Sequence, residues 1–315
     1  MYFTSLVMGS LERYRMDIVE LVVSFIQFLF GITINGFIMG TFSMQWRRNK
    51  SLQASDTVLM FLSTTRFFWQ WVLSLMILYN YITFSLDFLQ LLTYISNFLE
   101  LSSLWLTFTL CFTYCVKITD HPNSLFIYVK LRVSMLVKWM LLASLLASLA
   151  FTLLVMYFIS SALLLLNSLW RHVRQMRISG TSFRSRSVDA HYFLILIGSS
   201  LPLFIFCVAV AILIRSLWRH TRNMAEGNVD FGNPQIQAHL SAVKSMVSFL
   251  VLFTIYFVIV IVMSLPPLLD QNVLQLVFNI ICSAYPLLHS LILVMYSRKL
   301  REALYWCLHC TCRVP

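Results

Sequence analysis

Apolar residues in this chain come in seven long runs, and short polar segments, most of them basic, separate the majority of these runs. The runs cover 18–44, 55–80, 88–116, 133–158, 190–214, 241–265 and 272–296. Each exceeds the roughly 20 residues with which a helix crosses the hydrocarbon core of a bilayer. The pattern predicts an all-α fold, a seven-transmembrane helix bundle forming one domain over residues 1–315. After the seventh run, YSRKLREALYWCLHC places Leu300, Leu304 and Leu308 at helical spacing with aromatics beside them. That predicts a short amphipathic helix lying on the inner leaflet.

Composition removes the soluble alternatives. Hydrophobic residues make up 59% of the 315 positions and charged residues 11%, against about 25% charged in a soluble domain. The net charge of +11 could signal nucleic acid, but the basic residues cluster at the ends of apolar runs, as the positive-inside bias produces. No nucleic-acid partner is expected; membrane lipid is. One side of the bundle collects Arg47, Arg48, Lys50, Lys117, Lys130, Arg132, Lys138, Arg215, Arg219, Arg222, Lys244, Arg298, Lys299, Arg301 and Arg313. The other holds Arg13, Arg15, Arg171, Arg174, Arg177, Arg184 and Arg186. The richer side should be cytoplasmic, which places the N terminus outside and, with seven spans, the C terminus inside. The first run is too long for a signal-peptide core and ends in WRRNK, so it reads as a span that acts as its own signal.

None of the cysteines, Cys111, Cys115, Cys207, Cys282, Cys307, Cys310 and Cys312, falls in a predicted outer loop, so no structural disulfide is expected. The CLHCTC tail has too few ligands for zinc, and S-palmitoylation or inert thiols remain open for it. Asn49-Lys50-Ser51 is a glycosylation sequon on the cytoplasmic side, where it is unusable. The segment LLLLNSLWRHVRQM at 163–176 nearly repeats LIRSLWRHTRNM at 213–224. The second copy fits the inner end of span five, while the first falls in the second outer loop. A local duplication or sequence error explains it, and so would an outer-loop helix touching lipid headgroups or ligand.

Two ionisable residues lie deep in apolar runs. Arg66 sits mid-span in LMFLSTTRFFWQW, and a charge at that depth must face the bundle interior and find partners. Asn35, in GITINGFIMG, is a candidate partner; the pair would lock helix packing or act as a switch. Glu100, in SNFLELSSLW, is the one acidic residue well inside a run, with Ser96 and Asn97 on adjacent faces and Ser103 one turn deeper. It points to a ligand pocket, or else to an interhelical hydrogen bond. The chain has no metalloprotease HExxH, no nucleophile elbow, no phosphate-binding glycine loop and no metal-spaced cysteine pairs, so neither enzyme, metal nor cofactor is expected.

Motifs in five spans carry a family resemblance. Span two has SDTVLMFLSTTRFFWQW, and LWLTFTLCFTYCVKITDHPNSLFIYVKLRV runs from span three into the next loop, with Trp105, Tyr114, Lys117, Ile118, Lys130 and Arg132 at the matching positions. Span five has Pro202 followed by LIRSLWRH, span six AHLSAVKSMVSFLVLFTIYF and span seven YPLLHSLILVMYSRKL. In this order they resemble the type 2 (bitter) taste receptors, a family of G-protein-coupled receptors. The chain lacks the family's usual sequon in the second outer loop, has Thr113 where Phe is common, and has Glu100 where Asn is frequent. The resemblance implies a small-molecule bitter agonist bound near Ser96, Asn97, Glu100, Val262, Met263, Phe278, Asn279 and Cys282. It implies coupling of a gustducin-type heterotrimeric G protein through Tyr114, Lys117, His239 and Lys244. It implies a structural switch built on Asn35, Arg66, Pro202, Tyr256, His289 and Ser290. A vomeronasal-type pheromone receptor and a small-molecule transporter are the alternative readings. Pro202, Pro266, Pro267 and Pro286 all lie in the second half of the chain, which counts against the paired interruptions of a transporter.

Overall fold

A computed structural model of the chain describes residues 2–79, 86–118, 124–173, 234–263 and 272–311, with scattered positions between 200 and 215. The described elements are helical: α1 Tyr2–Asn49, α2 Ala54–Tyr79, α3 Leu86–Ile118, α4 Ser124–Leu131, α5 Val133–Val173, α6 Pro234–Met263, α7 Asn272–Tyr296 and α8 Arg298–Thr311. Positions 203, 204, 207, 208, 210–212, 214 and 215 of the fifth apolar run are helical as well. Pro202 and the side chains of His239 and Met263 lie outside the described residues, as do the polar loop expected after span five and most of the second SLWRH copy.

Helices α1 and α5 outrun their apolar runs. α1 reaches back to Tyr2, and α5 continues to Val173. The extension of α5 takes the first SLWRH copy, expected in a loop, into the helix as far as Val173. No Gly or Pro interrupts 133–173, and a leucine-rich stretch without a breaker has no local reason to stop being helical. At about 1.5 Å per residue such a helix is far longer than the hydrocarbon core is thick.

The turn between α1 and α2 is tight. Lys50 takes a φ of 53°, the left-handed region, and its amide donates to the Trp46 carbonyl at 2.8 Å, which closes the end of α1. After three intervening residues α2 begins at Ala54, so the two helices are antiparallel neighbours. α2 packs on α1 and α3, α3 on α5, α1 on α7, and α6 on α7. Pro286 interrupts α7 and cannot donate to the Cys282 carbonyl one turn earlier.

The interior has two apolar clusters. One joins Trp69, Leu101, Leu104, Phe249, Phe253, Tyr256 and Tyr285 from α2, α3, α6 and α7. The other joins Ile38, Phe42, Leu59, Leu62, Leu106, Val137, Leu293 and Leu300 toward the basic end of the bundle. Outward-facing side chains of α1 and α5, such as Phe25, Phe30, Leu146, Leu153 and Tyr157, are apolar and exposed. That inversion of a soluble surface marks a multi-pass membrane protein.

α8 is held more firmly than its amphipathic pattern suggests. Leu300 is fully buried in the second cluster, and Lys299 reaches Asp56 of α2 at 2.5 Å. Leu304 and Leu308, expected on the same stripe as Leu300, remain exposed with Tyr305 and Trp306. Their surface is available to a lipid leaflet rather than to the bundle.

Glycines in α1 test the packing of this pair of helices. A Cβ at Gly31 would meet the Gln70 side-chain nitrogen at 2.5 Å and its Cδ at 2.8 Å, whereas one at Gly40 would meet nothing within 4 Å. Gly31→Leu should lower the thermal unfolding midpoint of purified protein, with an overpacking cost of about 1–3 kcal/mol. Gly40→Ala should hold or raise that midpoint, because it gains up to about 1 kcal/mol of helix propensity. Equal midpoints for the two variants would reject the Gly31–Gln70 contact as a packing constraint.

Candidate functional site

α3 supplies the axis of the site. Ser96, Glu100, Ser103, Thr107, Cys111, Tyr114 and Lys117 recur every three or four residues and so share one face of a helix. Two-thirds of its most apolar window is buried, 67% against 33% or less for the other candidate spans. The polar face of α3 therefore points at neighbouring helices and has to be satisfied by them.

At the level of Ser103 the neighbour is Arg66. Its side chain is fully buried. Nε donates to Ser103 Oγ at 3.1 Å, and Nη2 donates to Thr107 Oγ1 at 3.5 Å and to Nδ1 of His289 on α7. An imidazole that accepts at Nδ1 is neutral and carries its proton on Nε2. Thr107 can accept because its own proton goes to the Ser103 carbonyl at 2.7 Å. Nη1 has no partner. No carboxylate pairs with this guanidinium among the described residues.

Asn35, expected beside Arg66, is engaged elsewhere. Its amide nitrogen donates to the Gly31 carbonyl at 2.8 Å, and its oxygen accepts from Ser290 at 2.8 Å. The Ser290 hydroxyl also lies 2.9 Å from the Pro286 carbonyl. The expected Arg66–Asn35 pair is thus replaced by two separate links that meet on α7, Arg66 to His289 and Asn35 to Ser290. Adjacent residues on a helix point about 100° apart, so one turn of α7 can hold α1 with one side chain and α2 with the next.

One turn before Ser103, Glu100 is buried and accepts a hydrogen bond from the Tyr256 hydroxyl of α6. The Tyr256 ring stacks on Tyr285, with centroids 5.1 Å apart. Tyr285 lies one turn before His289 on the same helix, and Phe249 contacts both it and His289, at 6.3 Å and 4.3 Å between centroids. A continuous path of contacts therefore runs from Glu100 through Tyr256, Tyr285 and His289 to Arg66 and returns to α3 at Ser103. The Tyr285 hydroxyl is buried without a hydrogen-bond partner among the described residues.

The remaining residues named for ligand binding divide. Ser96 is buried and accepts from the Trp69 indole at 3.1 Å; Asn97 is buried beside it. Cys282 packs against the aromatic cluster that holds Tyr256 and Tyr285. Val262 and Phe278 are half-buried near the far ends of α6 and α7. Asn279 turns toward α1, where it donates to Glu20 at 3.1 Å. One turn along, Ser283 donates to Gln27 at 2.7 Å and Gln27 donates to the Ile280 carbonyl at 3.1 Å. This α1–α7 seam escaped the sequence reading. The one available signal was the polar set Glu20, Gln27 and Asn35 at sevenfold to eightfold spacing in α1, which lies on one helix face.

At the basic end, Tyr114 is half-buried and touches both apolar clusters, while Lys117 and Lys244 are exposed. Asp56 here accepts from Lys299 and, at 3.5 Å, from Gln45. Sequence reasoning missed Asp56, because a carboxylate in the first turn of a helix is ordinary on helix-dipole grounds alone. No group of three or more His, Cys, Asp or Glu able to hold a metal occurs among the described residues.

Comparison with known proteins bears on this arrangement. The family model described as taste receptor protein (TAS2R) matches residues 13–160, 147–197 and 192–312. The chain is 28% identical to taste receptor type 2 member 60 of Macaca mulatta over 98% of each chain. It is 31% identical to member 41 of Rattus norvegicus over 86% of this chain and 89% of that one. It is 30% identical to member 39 of Homo sapiens over 90% and 84%. Among solved structures, squid rhodopsin superposes with a TM-score of 0.63 over 95% of this chain and 89% of its own, at 15% identity, which shows the seven-transmembrane fold.

Removing His289 should strand a buried guanidinium donor. His289→Ala is expected to lower the unfolding midpoint and surface level, at about 1–3 kcal/mol for the orphaned group. Arg66→Met combined with His289→Leu should cost less than the sum of the single changes, because both polar partners are then gone. Strict additivity of the two, measured by thermal unfolding of purified variants, would show that the residues do not act as a pair.

Proposed function

The chain belongs to the taste receptor (TAS2R) family, and we propose that it is a bitter taste receptor, a G-protein-coupled receptor forming one domain over residues 1–315. The observation that carries this reading is the family match across nearly the whole chain on a rhodopsin-like fold. In the proposed topology the N terminus is extracellular, the C terminus is cytoplasmic and the protein sits in the plasma membrane. The asymmetry of Lys and Arg supports it.

In this reading the agonist is a small apolar or amphiphilic molecule held between α3, α6, α7 and span five. Ser96, Asn97, Glu100, Val262, Met263, Phe278 and Cys282 are its proposed surroundings. Asn279 contributes through Glu20 and α1 rather than directly. The buried Glu100–Tyr256 pair forms the floor. A ligand donor that competes for the Glu100 carboxylate frees the Tyr256 hydroxyl, and Tyr256 is stacked on the residue one turn before His289. Agonist binding is thereby linked to the Arg66–His289 contact, and it shifts the receptor between states only by its differential affinity for them. Tyr114, Lys117, His239 and Lys244 are the proposed contacts for a gustducin-type G protein. The exposure of the two lysines beside Tyr114 supports this assignment.

The reading is tested by screening bitter compounds for ligand-evoked calcium release in cells supplied with a promiscuous G protein. A transporter gives solute flux without that signal. For the site, Glu100→Gln should cost an amine agonist roughly tenfold to a hundredfold in potency, since a charge-assisted hydrogen bond contributes about 1.5–3 kcal/mol. A neutral agonist should shift much less. Equal shifts for both, after normalisation to surface expression, would assign Glu100 to structure alone.

A further inference from the structure

Where α3, α6 and α7 meet, between the level of Arg66 and the basic end, a void of about 10 Å³ remains. That is room for one water molecule and for nothing larger. Four residues with hydrogen-bonding side chains line it beside the Cys111 thiol: Thr107 and Tyr114 of α3, Ser245 of α6 and His289 of α7. The rest of the lining is apolar. A void lined only by hydrocarbon stays dry, whereas one that offers about two to four polar partners holds water.

His289 brings an obligate donor. Its Nδ1 takes a proton from Arg66, and a guanidinium cannot accept. The ring proton is therefore on Nε2, and no acceptor for it occurs among the described residues. Ser245 brings the second partner. It is buried, and its hydroxyl makes no hydrogen bond among the described residues. Ser63, Thr107, Ser144 and Ser148 each donate to the carbonyl one turn earlier in their own helices. Ser245 does not, although Ser241 stands one turn before it in the same helix. Two buried polar groups that border one void without partners mark a position completed by another molecule. Thr107 adds an acceptor, because its proton goes to the Ser103 carbonyl at 2.7 Å and Arg66 engages only one of its lone pairs, at 3.5 Å.

We propose that this void binds a single water, which accepts from His289 Nε2–H and donates to the Ser245 hydroxyl oxygen. Thr107 Oγ1 is the acceptor for its other proton. A single-sphere volume leaves no room for a hydrated ion or an organic ligand. Ser245 thereby becomes a positioning residue of the Arg66 network, to which it has no direct contact. Tyr256 bonds α6 to Glu100. The water bonds the same helix to α7 at a second point, roughly 16 Å along its axis toward the basic end. The phase of α6 is then set at two depths instead of one. This site does not depend on the proposed agonist or G protein.

The test is a structure of the purified full-length protein at a resolution that shows ordered water, with and without bromide in the buffer. A single peak should lie within hydrogen-bonding distance of His289 Nε2 and Ser245 Oγ, and Ser245→Val, which extends a methyl into the void, should remove it. An empty void, a direct bond between His289 and Ser245, or a peak that gains anomalous scattering from bromide overturns the water. Thermal unfolding supplies an independent reading. Ser245→Ala should lower the midpoint by about 2 °C in the otherwise unchanged protein. It should have much less effect in a His289→Leu background, where the water has lost its donor. Equal shifts in the two backgrounds overturn the link between α6 and His289.

Discussion

A guanidinium in the middle of a membrane-spanning bundle is the constraint on which the rest of this structure turns. At the centre of a spanning helix a charged residue costs about 3 kcal/mol even on insertion scales. Arg66 is fully buried and has no carboxylate partner among the described residues. Its charge is therefore met by neutral dipoles: two hydroxyls of α3 and an imidazole of α7. α3 and α7 have to deliver them at the depth of Arg66 on α2, so the register of α2, α3 and α7 is set together. α1 joins through Asn35 and Ser290, one residue along α7. Apolar packing in lipid discriminates weakly between registers, because lipid tails are as apolar as the side chains, and polar contacts supply the discrimination.

What could be read from the sequence follows from the same physics. A lone Arg and a lone Glu in runs of apolar residues are visible without any structure, and so is the seven-span architecture. The α3 stripe from Ser96 to Lys117 was equally available, since it needs only helical spacing. Partner choice was not. His289 is 223 residues from Arg66, and helix phase alone gives a direction for each side chain but no neighbour. Asn35 lies in the adjacent span and has the right chemistry, yet its contact is Ser290. Helix ends were the other failure. Hydropathy marks where a helix leaves lipid, whereas the helix itself runs until something breaks it, and 133–173 contains no breaker. The attachment of α8 was half legible. The amphipathic stripe was evident, but only tertiary packing separates Leu300, buried in the second apolar cluster, from Leu304 and Leu308 on the same face.

The basic end is organised by different means. Lys299 on Asp56 and Leu300 in the second apolar cluster fix the start of α8 against α2. This ion pair is one-sided in its burial: the Asp56 side chain is 5% exposed and that of Lys299 42%. The carboxylate is the member that would suffer from separation, because it would be left unpaired out of water, whereas the ammonium would regain solvent. α2 consequently depends on α8 more than α8 depends on α2. The exposed Arg298–Glu302 pair, an i,i+4 contact, has no comparable leverage.

Arg66 and Glu100 are an ionisable base and an ionisable acid within two adjacent helices, yet each finds its own partners. Ser103, one turn from Glu100, takes the Arg66 Nε, and Glu100 takes the Tyr256 hydroxyl. A direct ion pair in this environment would be hard to open, since separating it leaves two uncompensated charges. Hydroxyl, phenol and imidazole dipoles hold each side chain in place, and each such contact can be exchanged for another neutral dipole at the net cost of a single hydrogen bond, about 1.5–3 kcal/mol where one member is charged. That is of the same order as the coupling free energies, about 1–3 kcal/mol, with which one site in a protein acts on another. A bundle locked by an internal salt bridge would be stable and unresponsive. One in which both side chains rest on exchangeable dipoles, linked through Tyr256, Tyr285 and His289, can change helix contacts without exposing a bare charge to lipid.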